Sequence, residues 1–118
     1  MSFKSSSAEK PEVQGLQYHI RLKKGDIPPY VLTPGDPKRV KKIASLWDKN
    51  EFVADYRQYV TYKGEYKGAK LAAVSSGIGS PGLAIAFDEL LRVGVHTFIR
   101  VGTCGSLQPE MQIGDLVI

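Results

Sequence analysis

Apolar and polar positions change period several times along the chain, and each change marks an element. Met1 to Gln14 is rich in Ser, Lys and Glu with almost no apolar content, which predicts a flexible tail over residues 1–14. Val13 to Leu22 reads as a short segment before the turn-rich "KKGDIPP". Tyr30–Thr33 is a brief apolar run and reads as a strand. "PGDP" then turns the chain; Asp36 suits a helix N-cap and Pro37 the first helical position. Val40, Ile43, Ala44 and Trp47 recur at helical spacing, so Lys38–Trp47 is predicted as a helix with one inward face.

"EFVADYRQYVTY", Glu51–Tyr62, is rich in β-formers with partial alternation and predicts one or two strands, with "KGEYKG" as the hairpin tip. "KLAAVSS", Lys70–Ser76, is another strand, followed by the glycine-rich "GIGSPG". Leu83, Ala84, Phe87, Leu90 and Leu91 then form the stripe of a helix from Pro81 to Val93. Asp88, Glu89 and Arg92 fall outside that stripe, and Gly94 ends the helix. Val95–Val101 is an apolar strand, "GTCGS" a loop, and "GDLVI" opens one further strand. This order predicts one α/β domain over residues 15–118, a layered, mainly parallel or mixed β-sheet flanked by helices. Ile118 falls inside an expected buried strand, which fits a short edge strand at a natural terminus or, as readily, a truncated chain or one completed by another subunit.

Composition narrows the function classes. A hydrophobic fraction of 42% and a charged fraction of 24% are ordinary for a globular domain. No apolar run approaches the roughly 20 residues that cross a bilayer, and no signal segment opens the chain. The expected location is cytoplasmic, with no membrane partner. A lone cysteine, Cys104, cannot close an internal disulfide, and two histidines add little, so no metal site is expected. The net charge of +4, with "HIRLKKG" and "PKRVKK", raises nucleic-acid binding. No aromatics alternate with those cations, and no helix-turn-helix or zinc-finger spacing occurs, so a solvated surface or a small anionic ligand is the better reading.

The unusual chemistry gathers at expected strand ends, where open α/β sheets bind ligands. Three loops stand there: Gly35-Asp36 with Arg39, Ser75 to Gly79, and Arg100 to Ser106. "GIGSPG" matches G-x-G-x-x-G, but the acid that a dinucleotide site requires about 20 residues on is replaced by Arg100. Those glycines are therefore read as letting some other small ligand approach the backbone. Arg100 closes an apolar strand, where a guanidinium without an anionic partner is costly. Either an acid such as Glu89 or Asp36 pairs with it, or it clamps a phosphate. Arg39 and the amides of Gly35 and Asp36 would form the other wall.

Taken together, "PGDPKRV", "DYRQY", "SSGIGSPG" and "FIRVGTCGSLQPEMQIGDLVI" resemble the nucleoside phosphorylase family of the uridine phosphorylase and hexameric purine nucleoside phosphorylase type, in its N-terminal half. The likeness runs from Tyr18 to Ile118. It implies phosphorolysis of a nucleoside, with inorganic phosphate as co-substrate, no cofactor and no metal. The resemblance assigns Gly35, Arg39, Arg100 and Thr103 to phosphate, and Thr103 also to the ribose. It makes Arg57 a phosphate ligand and His19 a sugar 5′-hydroxyl ligand, both donated across a dimer interface, so a homo-oligomer of dimer units, a hexamer in this family, is implied. Cys104 and Gly105 would line the sugar or base pocket, and Arg100 with Thr103 would carry the catalysis. Gln58 stands where some members have a glutamate that helps bind potassium, which argues against that ion here. "GTCGSLQP" mixes purine-type and uridine-type features; uridine is the favoured substrate, with a purine nucleoside, a hydrolytic nucleosidase and an inactive phosphate-binding fragment as alternatives.

Overall fold

The computed structural model describes residues 9–118. Most of the expected N-terminal tail lies outside the described residues. Within its last part, β1 (Glu12–Val13) pairs antiparallel with β2 (Leu16–Gln17) across a turn at Gln14-Gly15. The main sheet holds β3 (Tyr30–Pro34), β4 (Lys49–Tyr56), β5 (Tyr59–Tyr66), β6 (Ala69–Val74) and β7 (Thr97–Val101), in the order β4-β5-β6-β3-β7. β3 runs parallel to both neighbours, with Val31 opposite Ala72 and Tyr30 opposite Thr97. β4, β5 and β6 form an antiparallel meander. The sheet is therefore mixed, and parallel only around β3.

Two helices cover it. α1 (Pro37–Ala44) starts as expected, since the Asp36 side chain accepts the Lys38 N–H at 2.9 Å and Pro37 occupies the first turn. It ends three residues earlier than the spacing predicts, yet Trp47 still turns inward and is 9% exposed. α2 (Ser80–Arg92) ends on Gly94 at φ 101. The Gly94 amide donates to the Leu91 carbonyl at 3.1 Å and the Val95 amide to the Leu90 carbonyl at 3.0 Å, a Schellman closure that only a residue at ease with positive φ allows.

The strand period of two divides the core between the faces. Leu32, Val60, Tyr62, Leu71 and Ala73 meet Val40, Ala44 and Trp47 on the α1 side. Val31, Tyr59, Ala72 and Val74 meet Ala86, Leu90, Val93 and Val95 on the α2 side, with Ile20 and Leu22 closing the layer.

Four expectations are corrected. The hairpin tip expected at Lys63–Gly68 is only its last part: β5 runs on through Tyr66, and a second tip lies at Arg57-Gln58. "GDLVI" forms no strand, because it meets no sheet edge to pair with, and Leu116, Val117 and Ile118 are exposed. Leu91, expected inward, is 57% exposed. Glu89, expected outward, is 1% exposed.

Candidate functional site

Because β3 lies between two parallel strands, the carboxyl ends of β6, β3 and β7 reach one edge of the sheet. The loops that leave β6 and β3 are tied together by backbone. The Ser76 amide donates to the Pro34 carbonyl at 3.0 Å, and the Gly77 amide to the Gly35 carbonyl at 2.9 Å. Arg100, on β7, folds its guanidinium over this junction. A Cβ on Gly35 would stand 3.8 and 3.9 Å from its two terminal nitrogens, and one on Gly102 3.7 Å from its Cζ. Its Nη1 donates to the Thr33 carbonyl at a long 3.5 Å. Among the described residues no carboxylate forms an ion pair with Arg100, so neither Glu89 nor Asp36 is the partner.

Arg39 follows in the first turn of α1, half-buried and without an acidic partner among the described residues. The Lys38 amide there is already taken by Asp36. Thr103, Cys104 and Gly105 continue beyond Gly102 as exposed irregular chain, and Cys104 is a free thiol. The structure thus brings Gly35, Gly77, Arg100 and Gly102 together. It draws none of Thr103, Cys104 and Gly105 into a side-chain hydrogen bond among the described residues.

A second group forms around the Arg57 turn. Arg57 is exposed, with φ 54, and its guanidinium lies 5.4 Å from the Tyr56 ring centre and 5.9 Å from that of Tyr18. Arg21, also left-handed at φ 57, stacks on Tyr56 at 4.1 Å. Between these cations the Tyr56 phenol is held below its usual range, first by Arg57 and then by Arg21, and the same contact raises Arg57. His19 sits beside Tyr18, ring centres 4.8 Å apart, and its Nδ1 lies 2.7 Å from the buried Glu89 carboxylate. Among the described residues neither Arg57 nor His19 bonds to Arg100 or Gly35.

What joins the two groups is Ser75 and Gln58. The Ser75 hydroxyl accepts the Val60 amide at 2.8 Å and donates to the Gln58 carbonyl at 2.6 Å. Gln58 lies against Gly77, where a Cβ would come within 2.6 Å of the Gln58 Cγ. At φ 71 Gly77 is the residue that lets the glycine loop lie flat on the Arg57 turn. Neither this link nor Glu89 was legible in the sequence, since a serine at a strand end and an acid on a helix carry no pattern that names distant partners.

The chain is 53% identical over 113 residues to a uridine phosphorylase of Thermococcus kodakarensis, covering 95% of this chain and 41% of that protein. It is 48% identical to a guanosine phosphorylase of Halorubrum lacusprofundi, over 86% of this chain and 42% of that one. The crystal structure of uridine phosphorylase from Vibrio fischeri superposes with a TM-score of 0.84 at 38% identity, over 86% of this chain and 43% of that one. The chain therefore spans about two fifths of the length of these relatives. Residues 29–118 match the Phosphorylase superfamily, and the chain belongs to that family.

Proposed function

We propose that the protein is a nucleoside phosphorylase, with uridine its preferred substrate, and that this chain contributes the phosphate-binding half of its active site. The observation that carries this reading is Arg100: a guanidinium without an acid among the described residues, folded over the glycine junction at the carboxyl edge of a parallel strand pair. A planar, bidentate donor over bare backbone suits a tetrahedral oxyanion.

In this reading Gly35, Arg39, Arg100 and Thr103 hold phosphate, and Thr103, Cys104 and Gly105 border the sugar. Arg57 and His19 act on the site of a neighbouring subunit, Arg57 on phosphate and His19 on the sugar 5′-hydroxyl. The working assembly is then a homo-oligomer of dimers, a hexamer. A phosphate oxygen bonds to the anomeric carbon as the glycosidic C–N bond breaks and the base leaves with its electron pair. The oxocarbenium-like state is stabilised by the phosphate that the arginines orient, so the protein supplies position and charge.

A purine nucleoside is the second reading, favoured by the 48% identity to a guanosine phosphorylase. The test is release of free base from uridine and from inosine, each with and without inorganic phosphate, by the protein as its gene encodes it. Phosphate-dependent cleavage of uridine is expected. Preference for inosine selects the purine reading, and cleavage without phosphate would overturn phosphorolysis.

A further inference from the structure

Glu89 is a buried carboxylate that the phosphorolytic reading leaves without a task. Both its oxygens are spent on one short segment. Oε1 and Oε2 accept the His19 amide at 3.2 and 3.0 Å, Oε2 accepts the Ile20 amide at 2.9 Å, and Oε1 lies 2.7 Å from the His19 Nδ1. No lysine or arginine pairs with it among the described residues. A carboxylate only accepts, and two backbone N–H groups already bond to this one. The Nδ1 of His19 must then carry the proton that points at Glu89.

That bond determines the other side of the ring. The ring is wedged edge-on between Tyr18 and Tyr59, centres 4.8 and 6.2 Å away, and its side chain remains 25% exposed. Nε2 has no hydrogen-bond partner among the described residues. We propose that Glu89 is a positioning residue: it locks His19 in the Nδ1–H tautomer and presents Nε2 as a fixed acceptor for a substrate hydroxyl. The inference rests on the reading of His19 as a sugar ligand. Glu89 sits on α2 and His19 in the segment after β2, so α2 aims a group that works at the neighbouring site.

The experiment compares wild type, Glu89→Ala and Glu89→Gln in the protein as its gene encodes it. The first readout is the ratio of kcat/KM for uridine to that for 5′-deoxyuridine, because a merely structural lesion lowers both alike. The second is nitrogen NMR of the His19 ring. The ratio is expected to fall about tenfold in Glu89→Ala, the worth of one positioned hydrogen bond. In Glu89→Gln the amide N–H faces Nδ1, so the proton moves to Nε2, and the ratio falls less because a hydroxyl can also accept.

An unchanged ratio in a folded Glu89→Ala would overturn the proposal. So would a wild-type ring that carries its proton on Nε2, which decides the matter even if the alanine variant does not fold. A wild-type ratio near unity would instead refute the sugar role of His19, and the tautomer seen in the same sample separates that failure from a failure of the Glu89 hold.

Discussion

Replacing Ser75 by alanine isolates the link between the glycine loop and the Arg57 turn. Ser75 is fully buried, and its hydroxyl stands where the β5–β6 ladder ends, satisfying the Val60 amide and the Gln58 carbonyl at once. Alanine removes one oxygen and leaves two backbone groups without that partner; the Ser75 amide keeps its own bond to the Val60 carbonyl at 3.1 Å. Each orphaned buried group costs about 1–3 kcal/mol. Val60 and Gln58 are half-buried, so water reaches part of the site and the low end applies. The expected loss is about 2 kcal/mol, read as a lower urea midpoint at unchanged m value. On the phosphate role proposed for Arg57, which Gln58 adjoins, the same variant should need more phosphate for half-maximal turnover. A stability loss below about 0.5 kcal/mol would refute the reasoning, since it would mean that the hydroxyl makes no net bond.

Further outcomes follow from the two tyrosines and the orphaned hydroxyls. Tyr56 should ionise below the usual tyrosine range in an ultraviolet titration, and Arg21→Ala should move it back up; no movement would mean that Arg21 does not stack in solution. Tyr59 is pushed up, mainly by burial and then by the Glu89 charge, so the folded state favours the neutral phenol. Its contribution to stability is complete below the ordinary value of 10.0 and is lost as pH rises through the raised one. Tyr59→Phe should flatten that alkaline slope and cost about 1 kcal/mol at neutral pH, because the phenol donates to the Gly82 carbonyl at 2.9 Å. The hydroxyls of Thr33 and Thr61 are buried without a partner among the described residues, so valine at either position should stabilise by up to about 1 kcal/mol in urea unfolding; a loss would reveal a partner.

Elements whose causes are local were legible in the sequence. Asp36-Pro37 announces α1 and Gly94 closes α2 because caps act through adjacent backbone. The apolar runs at Tyr30, Lys70 and Val95 announce β3, β6 and β7, and the loops after β3 and β6 do meet. The tip at Arg57-Gln58 was not legible, since no glycine, asparagine or proline marks it and an arginine takes the left-handed backbone. Glu89 escaped because a helical wheel ranks a carboxylate as polar, and its burial is caused by a segment 70 residues earlier. "GDLVI" has the composition of a strand, but a strand exists only beside another.

The position of β3 also sets an order of assembly. The meander β4-β5-β6 closes through two-residue turns, so its contacts form with little loss of chain entropy. β3 is made before all of them, yet its partners are β6 and β7, and Tyr30 must wait for Thr97. The earliest strand of the sheet is thus its last to be satisfied on both sides, and the slow step of folding should be the capture of β3 between two edges. Pulsed hydrogen exchange should protect the amides of Tyr62 and Ala73 before that of Leu32, and a nascent chain halted ahead of β7 should hold Val31 and Leu32 in a sheet with one raw edge.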